Sequence, residues 1–344
     1  MGTMGTMGTR PRILVTGAAG FIGSAVAARL AGMGYAVTGC DNFNDYYAPA
    51  LKAHRVAALL APAEVPCEHV ELSDAAEVAA LFERVRPERV VHLAAQAGVR
   101  YSLLDPDAYL RSNVVAFGHM LEACRKAQVA HLVYASSSSV YGAHATFPFA
   151  EDTQTDEPVS LYAATKKSNE LMAHAYSALY RLPATGLRFF TVYGPWGRPD
   201  MAYFIFARKM RAGDRIPVFA GGRPVRDFTY IDDVVEGVAR VLFKPQPDDR
   251  REGEGQAPHR VFNIGRGQPV SVMDFIAALE RAFGVKAELD FQPMQPGDVD
   301  ATHADIARLK AWVDYCPETS LEAGLDQFAR WYNALTYANV SYLK

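Results

Sequence analysis

The chain has 344 residues, half of them hydrophobic and 21% charged, with a formal net charge of −3. This length and composition suit a soluble globular enzyme with one large core or two coupled ones. They offer no broad basic surface for nucleic acid or anionic membrane, and no apolar run approaches the ~20 residues needed to cross a bilayer. The four cysteines (Cys40, Cys67, Cys124, Cys316) and the nine histidines lack metal-ligand spacing. No metal is implied, and the thiols read as inert groups of a reducing cytoplasm.

Residues 1–9 repeat Met-Gly-Thr three times, too polar and glycine-rich for a signal segment, and read as a flexible leader. Arg12–Thr16, apolar and β-branched, predicts a buried strand. Gly17-Ala18-Ala19-Gly20-Phe21-Ile22-Gly23 then opens a helix running through Ser24 to Met33. The glycines permit a tight turn, close approach of backbone to a pyrophosphate, and close helix–strand packing. The helix start adds unpaired N–H groups and a favourable dipole for phosphates. The following strand, Ala36–Cys40, ends at Asp41, whose carboxylate suits the hydroxyls of an adenosine ribose and repels a 2′-phosphate. The pattern points to NAD rather than NADP.

Further along, the spacing predicts helices at Val78–Val85, Tyr109–Ala127 and about Ser160–Tyr180. Strands are predicted at Arg89–Ala95, His131–Ala135 and Ala184–Phe189. This βαβ succession predicts an α/β fold, a doubly wound parallel sheet of Rossmann type with helices on both faces. Strand ends at Asp41, Ala94, Ser136 and Phe190 then line one edge, where such sheets bind ligands. Beyond Tyr193 the rhythm is less regular. Helices are expected at Phe204–Ala212, Ile231–Phe243 and Val272–Phe283, with strands at Ile216–Phe219 and Val261–Ile264. Residues 10–190 are expected to form the NAD-binding domain, joined by segments around 228–265. Residues 191–344 are expected to form mostly a smaller, discontinuous α/β substrate domain.

Tyr162 and Lys166 lie four apart on the predicted helix, so phenol and ammonium share one face. A cation beside a phenol favours phenolate. The serine run Ser136-Ser137-Ser138-Ser139 ends the neighbouring strand, and a hydroxyl there can share a proton with the phenol and a substrate alcohol. With a dinucleotide nearby, this is equipment for oxidising an alcohol.

The glycine loop, the serine run leading into Val140-Tyr141-Gly142, and Tyr162-x-x-x-Lys166 resemble the extended short-chain dehydrogenases acting on nucleotide sugars. Asp41-Asn42-Phe43-Asn44-Asp45-Tyr46-Tyr47, Pro158 to Lys167, Gly186 to Met201, Arg226 to Asp233 and Pro296-Gly297-Asp298 resemble UDP-glucuronate 4-epimerases from about Arg12 to the final helices. The resemblance implies that Tyr162 is the base at the sugar 4-hydroxyl, Ser137 the bridge, and Lys166 the group that lowers the tyrosine pKa and holds the nicotinamide ribose. C4 loses hydride to NAD⁺ and regains it on the other face after the keto sugar turns over. The cofactor therefore stays bound. Because a 4-keto uronate is prone to lose CO₂, its carboxylate must be held, for which Ser138, Ser139, Thr191 and Arg198 are the candidates. Loop polarity is the competing reading for the two serines, and an ion pair for Arg198.

By the same resemblance, Arg226 is the diphosphate arginine and Asp298 the uridine-ribose carboxylate. The NAD contacts comprise Gly17, Gly20, Phe21, Ile22, Gly23, Asp41, Asn42, Asn44, Leu72, Leu93, Ala94, Ala95, Gln96, Asn113, Ser136, Tyr162, Lys166 and Phe189. For Asn113 a packed side chain is the competing reading. Glu71 stands where relatives usually carry an aspartate near the adenine, and Asp300 where proline is expected. A decarboxylase of this fold usually has a glutamate after the catalytic serine or threonine, and a UDP-glucose 4-epimerase an asparagine where Thr191 stands. Both are weighed below the uronate epimerase. A non-catalytic NAD-sensing protein is disfavoured by the intact Ser137, Tyr162 and Lys166. The expected partner is a UDP-sugar, and the helices Tyr109–Ala127 and Ser160–Tyr180 resemble those that form a homodimer interface in this family.

Overall fold

The computed structural model describes residues 10–143, 146–248, 256–293 and 300–337. The leader, most of the mixed-charge run Asp248–Glu254, and Pro296-Gly297-Asp298 lie outside the described residues. The strands in chain order are β1 (Arg12–Thr16), β2 (Ala36–Asp41), β3 (Cys67–His69), β4 (Arg89–His92), β5 (His131–Ser137), β6 (Ala184–Phe189), β7 (Thr191–Tyr193), β8 (Ile216–Phe219), β9 (Val225–Tyr230), β10 (His259–Ile264), β11 (Pro269–Ser271) and β12 (Leu289–Gln292).

A seven-stranded sheet runs in the order β10-β6-β5-β4-β1-β2-β3, with every pairing parallel. The chain winds outward from β1 to β3, then crosses back to β4 and winds the other way. The crevice outside the ends of β1 and β4 is therefore the switch point where such sheets receive ligands. Alternation along β1 explains the two-sided core. Ile13 and Val15 pack with Val26 and Leu30 of the helix Phe21–Gly32 and with Val234 and Val238 of Ile231–Leu242. Leu14 faces the other way, toward Leu81 and Phe82 of Ala75–Val85 and Phe117 and Leu121 of Ala116–Lys126. The fold is the doubly wound Rossmann sheet, and two small sheets, β11-β9-β7 and β12-β8, belong to a second, smaller domain.

Several predicted boundaries move, each for a local reason. The strand predicted to reach Ala95 stops at His92, because Thr16 Oγ1 accepts the Ala94 N–H and turns the chain toward the cleft. The helix predicted over Tyr109–Ala127 is divided into Pro106–Tyr109, a wider π turn at Leu110–Val115, and Ala116–Lys126. Within that turn the Asn113 carbonyl accepts a hydrogen bond from Asn169 Nδ2 at 2.6 Å. The three-residue edge strand β3, with polar Glu68 and His69, carries too little alternation to be seen in sequence.

Candidate active site

One cleft of about 470 Å³ opens along the carboxyl ends of the large sheet, bounded on its far side by β7 and Arg226 of β9. At its dinucleotide end, Gly17 adopts φ +69°, and a Cβ there would meet Ala94 N at 2.7 Å. A Cβ on Gly23 would meet Gly17 O at 2.0 Å. Turn and helix thus meet at a separation that only glycine allows. No side chain caps the helix start at Gly20, so its first N–H groups are left to a ligand. At the end of β2, Asp41 accepts Ala19 N–H at 3.1 Å and Phe43 N–H at 2.8 Å. Those bonds orient the carboxylate while leaving lone pairs for further donors.

Asn42 and Asn44 line the same end, together with Glu71 and Leu72. Glu71 accepts from Asn42 Nδ2 at 2.8 Å and from Ser73 Oγ at 2.8 Å. Burial alone would raise its pKa, but these bonds outweigh it and the net direction is down. The glutamate that departs from the family pattern is therefore an ionised acceptor that orders the Asn42 side chain. Phe21, Ile22, Leu93, Ala94, Ala95, Gln96, Ser136 and Phe189 also line the cleft. Asn113 does not face it. Its Oδ1 accepts Gln96 N–H at 2.8 Å, and its Nδ2 donates to Gln96 O and Thr165 Oγ1, each at 3.0 Å. As in the competing packed reading, Asn113 is a buried clamp on the strand end that carries Gln96. Ser136 lines the cleft, yet its hydroxyl is committed to Glu170 at 2.6 Å.

At the chemical end, Ser160 caps the helix Leu161–Tyr180 by accepting Ala163 N–H at 3.1 Å, which places Tyr162 and Lys166 on its first two turns. Ser137 and the Tyr162 phenol share this end of the cleft. Burial raises the phenol above its ordinary pKa, while Ser137 and Arg198 pull it down. Arg198 thus adds a positive charge that acts on the phenol from across the cleft. The Lys166 ammonium, buried and lowered to about 8 by that burial, donates to Ala135 O at 2.9 Å. Ser139 Oγ donates to Ser137 Oγ at 2.9 Å, which links these two hydroxyls of the serine run.

Ser138, Thr191, Arg198 and Arg226 complete the far wall. Arg198 forms a two-pronged pair with Asp200, Nε to Oδ1 at 3.0 Å and Nη2 to Oδ2 at 2.6 Å. Burial alone would lower its pKa, but Asp200 reverses the direction. Arg226 donates to Val225 O at 2.9 Å and Asp300 O at 3.3 Å. Asp298 lies outside the described residues. Sequence reasoning gave no role to Tyr46, Tyr47 or Lys52, which also line the cleft. Lys52 Nζ donates to Asn44 Oδ1 at 2.8 Å and lies 3.8 Å from Asp41 Oδ1. Tyr46 donates to Asp200 at 3.0 Å. Both tyrosines stood within the Asp41–Tyr47 string, but the Asp200 partner of Tyr46 is remote in sequence.

Known proteins are similar to this chain over most of its length. UDP-glucuronate 4-epimerase 3 of Arabidopsis thaliana is 49% identical over 327 residues, covering 93% of this chain and 76% of its own. A probable UDP-glucuronate 4-epimerase of Rhizobium meliloti is 46% identical over 330 residues, covering 94% and 97%. The crystal structure of the Bacillus cereus UDP-glucuronic acid 4-epimerase, in complex with UDP-glucuronic acid and NAD, superposes with a TM-score of 0.84 at 33% identity. That match covers 94% of this chain and 99% of the Bacillus one. Residues 13–265 match the NAD dependent epimerase/dehydratase family, and the chain belongs to it.

Proposed function

We propose that this protein interconverts UDP-glucuronate and UDP-galacturonate by oxidising and re-reducing sugar C4, using tightly bound NAD. The observation that carries this reading is one cleft holding Ser137, Tyr162 and Lys166 beside Ser138, Ser139, Thr191 and Arg198. A proton-transfer group there faces donors suited to a carboxylate. The glycine cradle, the uncapped helix start and Asp41 fit the dinucleotide. When bound, NAD supplies the two-electron acceptor and donor for C4.

Tyr162 takes the proton of the 4-hydroxyl and later returns it, with Ser137 bridging the transfer. Arg198 favours the phenolate that this requires. Lys166 is assigned to the nicotinamide ribose, Arg226 to the diphosphate and Asp298 to the uridine ribose. The carboxylate of the 4-keto sugar is held so that its C–C bond stays out of line with the carbonyl π system, and CO₂ is retained. Ser138–Tyr141 forms a short 3₁₀ turn with no carboxylate side chain, which gives no support to a decarboxylase or dehydratase reading. Incubation of the purified protein with UDP-glucuronate, without added NAD, tests the assignment. UDP-galacturonate is expected, and a predominantly UDP-pentose product overturns it.

Among the described residues no helix is long and apolar enough to cross a membrane. A cytoplasmic location, where UDP-sugars and NAD meet, accords with the proposed substrates. Leu110, Val115, Leu171 and Leu179 are exposed on the two helical segments that resemble the family dimer interface. This supports a homodimer. Light scattering of a Leu171→Glu/Leu179→Glu variant is expected to show monomer where the wild type shows dimer, and an unchanged mass refutes this interface.

A further inference from the structure

Arg55 ends the short helix Pro49–Arg55 and is 0% exposed. Among the described residues no carboxylate forms an ion pair with it. Its donors go instead to four neutral oxygens from three separate segments. Nη1 donates to Ala19 O at 3.1 Å, within the glycine-rich loop, and to Tyr47 Oη at 2.7 Å. Nε donates to Trp196 O at 2.8 Å and Nη2 to Gly197 O at 3.0 Å. A buried charge satisfied by neutral groups alone is costly to keep. Only a planar fork with divergent N–H groups reaches all these acceptors together, which a lysine ammonium does not.

The turn it holds is under constraint. Trp196 is a non-glycine residue at φ +63°, a conformation that persists only where neighbours enforce it. A Cβ on Gly197 would meet the Tyr203 hydroxyl at 1.7 Å, so that turn has one way to sit. Arg198 follows directly. Its partner Asp200 is held in turn by Tyr46, next to Tyr47. Two neighbouring tyrosines and Arg55 therefore fasten one loop of the substrate wall to the dinucleotide loop.

We propose that Arg55 is a positioning residue that locks the Trp196–Gly197 turn against the glycine-rich loop and thereby sets Arg198 for the substrate carboxylate. This rests on the uronate reading above. Arg55 serves the charged end of the sugar and not the uridine diphosphate that all UDP-sugars share.

The test compares wild type with Arg55→Lys by calorimetric binding of UDP-glucuronate and UDP-glucose, with bound NAD per chain and the epimer-to-pentose product ratio measured alongside. At least a tenfold loss for UDP-glucuronate is expected. UDP-glucose affinity should change less than twofold, NAD content should be retained, and the pentose share should rise. Equal losses for both ligands, or no loss for either, overturn the proposal. If Arg55→Lys does not fold, Tyr47→Phe, which removes one acceptor, decides. A selective loss of at least twofold for UDP-glucuronate supports the proposal, and an unchanged preference refutes it. The wild-type product tests the epimerase reading separately from the Arg55 binding comparison.

Discussion

Glu170, one helical turn beyond Lys166, forms a two-pronged ion pair with Arg188 of β6, both N···O distances being 2.8 Å. Both side chains are buried, and the same carboxylate accepts the Ser136 hydroxyl at 2.6 Å. Arg188 also donates to Tyr141 Oη at 3.0 Å, and Tyr141 to Asn263 Oδ1 at 2.6 Å. One buried network thus joins the catalytic helix, the serine turn and the two strands β6 and β10.

Glu170→Gln leaves Arg188 without its countercharge in a buried site, a change that typically costs about 3–5 kcal/mol. Urea denaturation is expected to show a loss of that order. Turnover should fall as well, because Ser136 and Tyr141 flank Ser137. A loss below about 1 kcal/mol, within the range of exposed ion pairs, refutes the role assigned to this pair.

Tyr162→Phe removes the acidic hydroxyl and keeps the ring packed at 6.0 Å from Tyr109. Epimerisation is expected to fall by about 10²–10⁴-fold, the range for a positioned acid–base group. Bound NAD, read by absorbance after denaturation, should stay near the wild-type level. Retained turnover removes Tyr162 from the proton-transfer role.

Gly23→Ala places a methyl 2.0 Å from Gly17 O, where the neighbour is backbone and must shift. Overpacking of this kind costs about 1–3 kcal/mol. If the cost falls on the bound state, dinucleotide affinity drops about ten- to hundredfold. Equilibrium dialysis with NAD reads the change, and unaltered affinity contradicts the close-approach argument.

His131 lies buried between Leu242 O at 3.0 Å and Thr185 Oγ1 at 2.9 Å, and burial lowers its pKa from 6.5 to about 4. Its unfolded form binds a proton at a higher pH than its folded form. The stability it contributes is therefore complete above pH 6.5 and is lost as pH falls toward 4, by roughly 3 kcal/mol in all. His131→Gln is expected to show a shallower decline in urea midpoint between pH 7 and pH 4.5. A slope equal to the wild type's excludes His131 as a source of acid sensitivity.

Much of this protein is legible one residue after another because local chemistry carries the signal. The β1 run and Gly17–Gly23 define a strand, a turn and a helix start by sterics alone. Asp41 and Tyr162 are placed by strand and helix periodicity. Short or polar elements escape that reading. β3 has three residues, and β9 alternates around a buried Asp227 whose backbone donors come from Arg266, Gly267 and Ala304. Asn113 was open to two readings because an amide faces a ligand or a backbone with equal chemistry. Its contacts with Gln96 and Thr165 come from segments remote in sequence, which no local pattern displays.

The amino-acid order by itself determined the dinucleotide cradle, the acid–base pair and the parallel sheet, since each depends on neighbours a few residues apart. Tertiary structure alone decided which groups act on one another. It brought Arg198 to bear on the Tyr162 phenol, assigned the Ser136 hydroxyl to Glu170, and drew four oxygens from three segments around Arg55. Coulombic and hydrogen-bond energies depend on distance and burial, and those are properties of the packed chain.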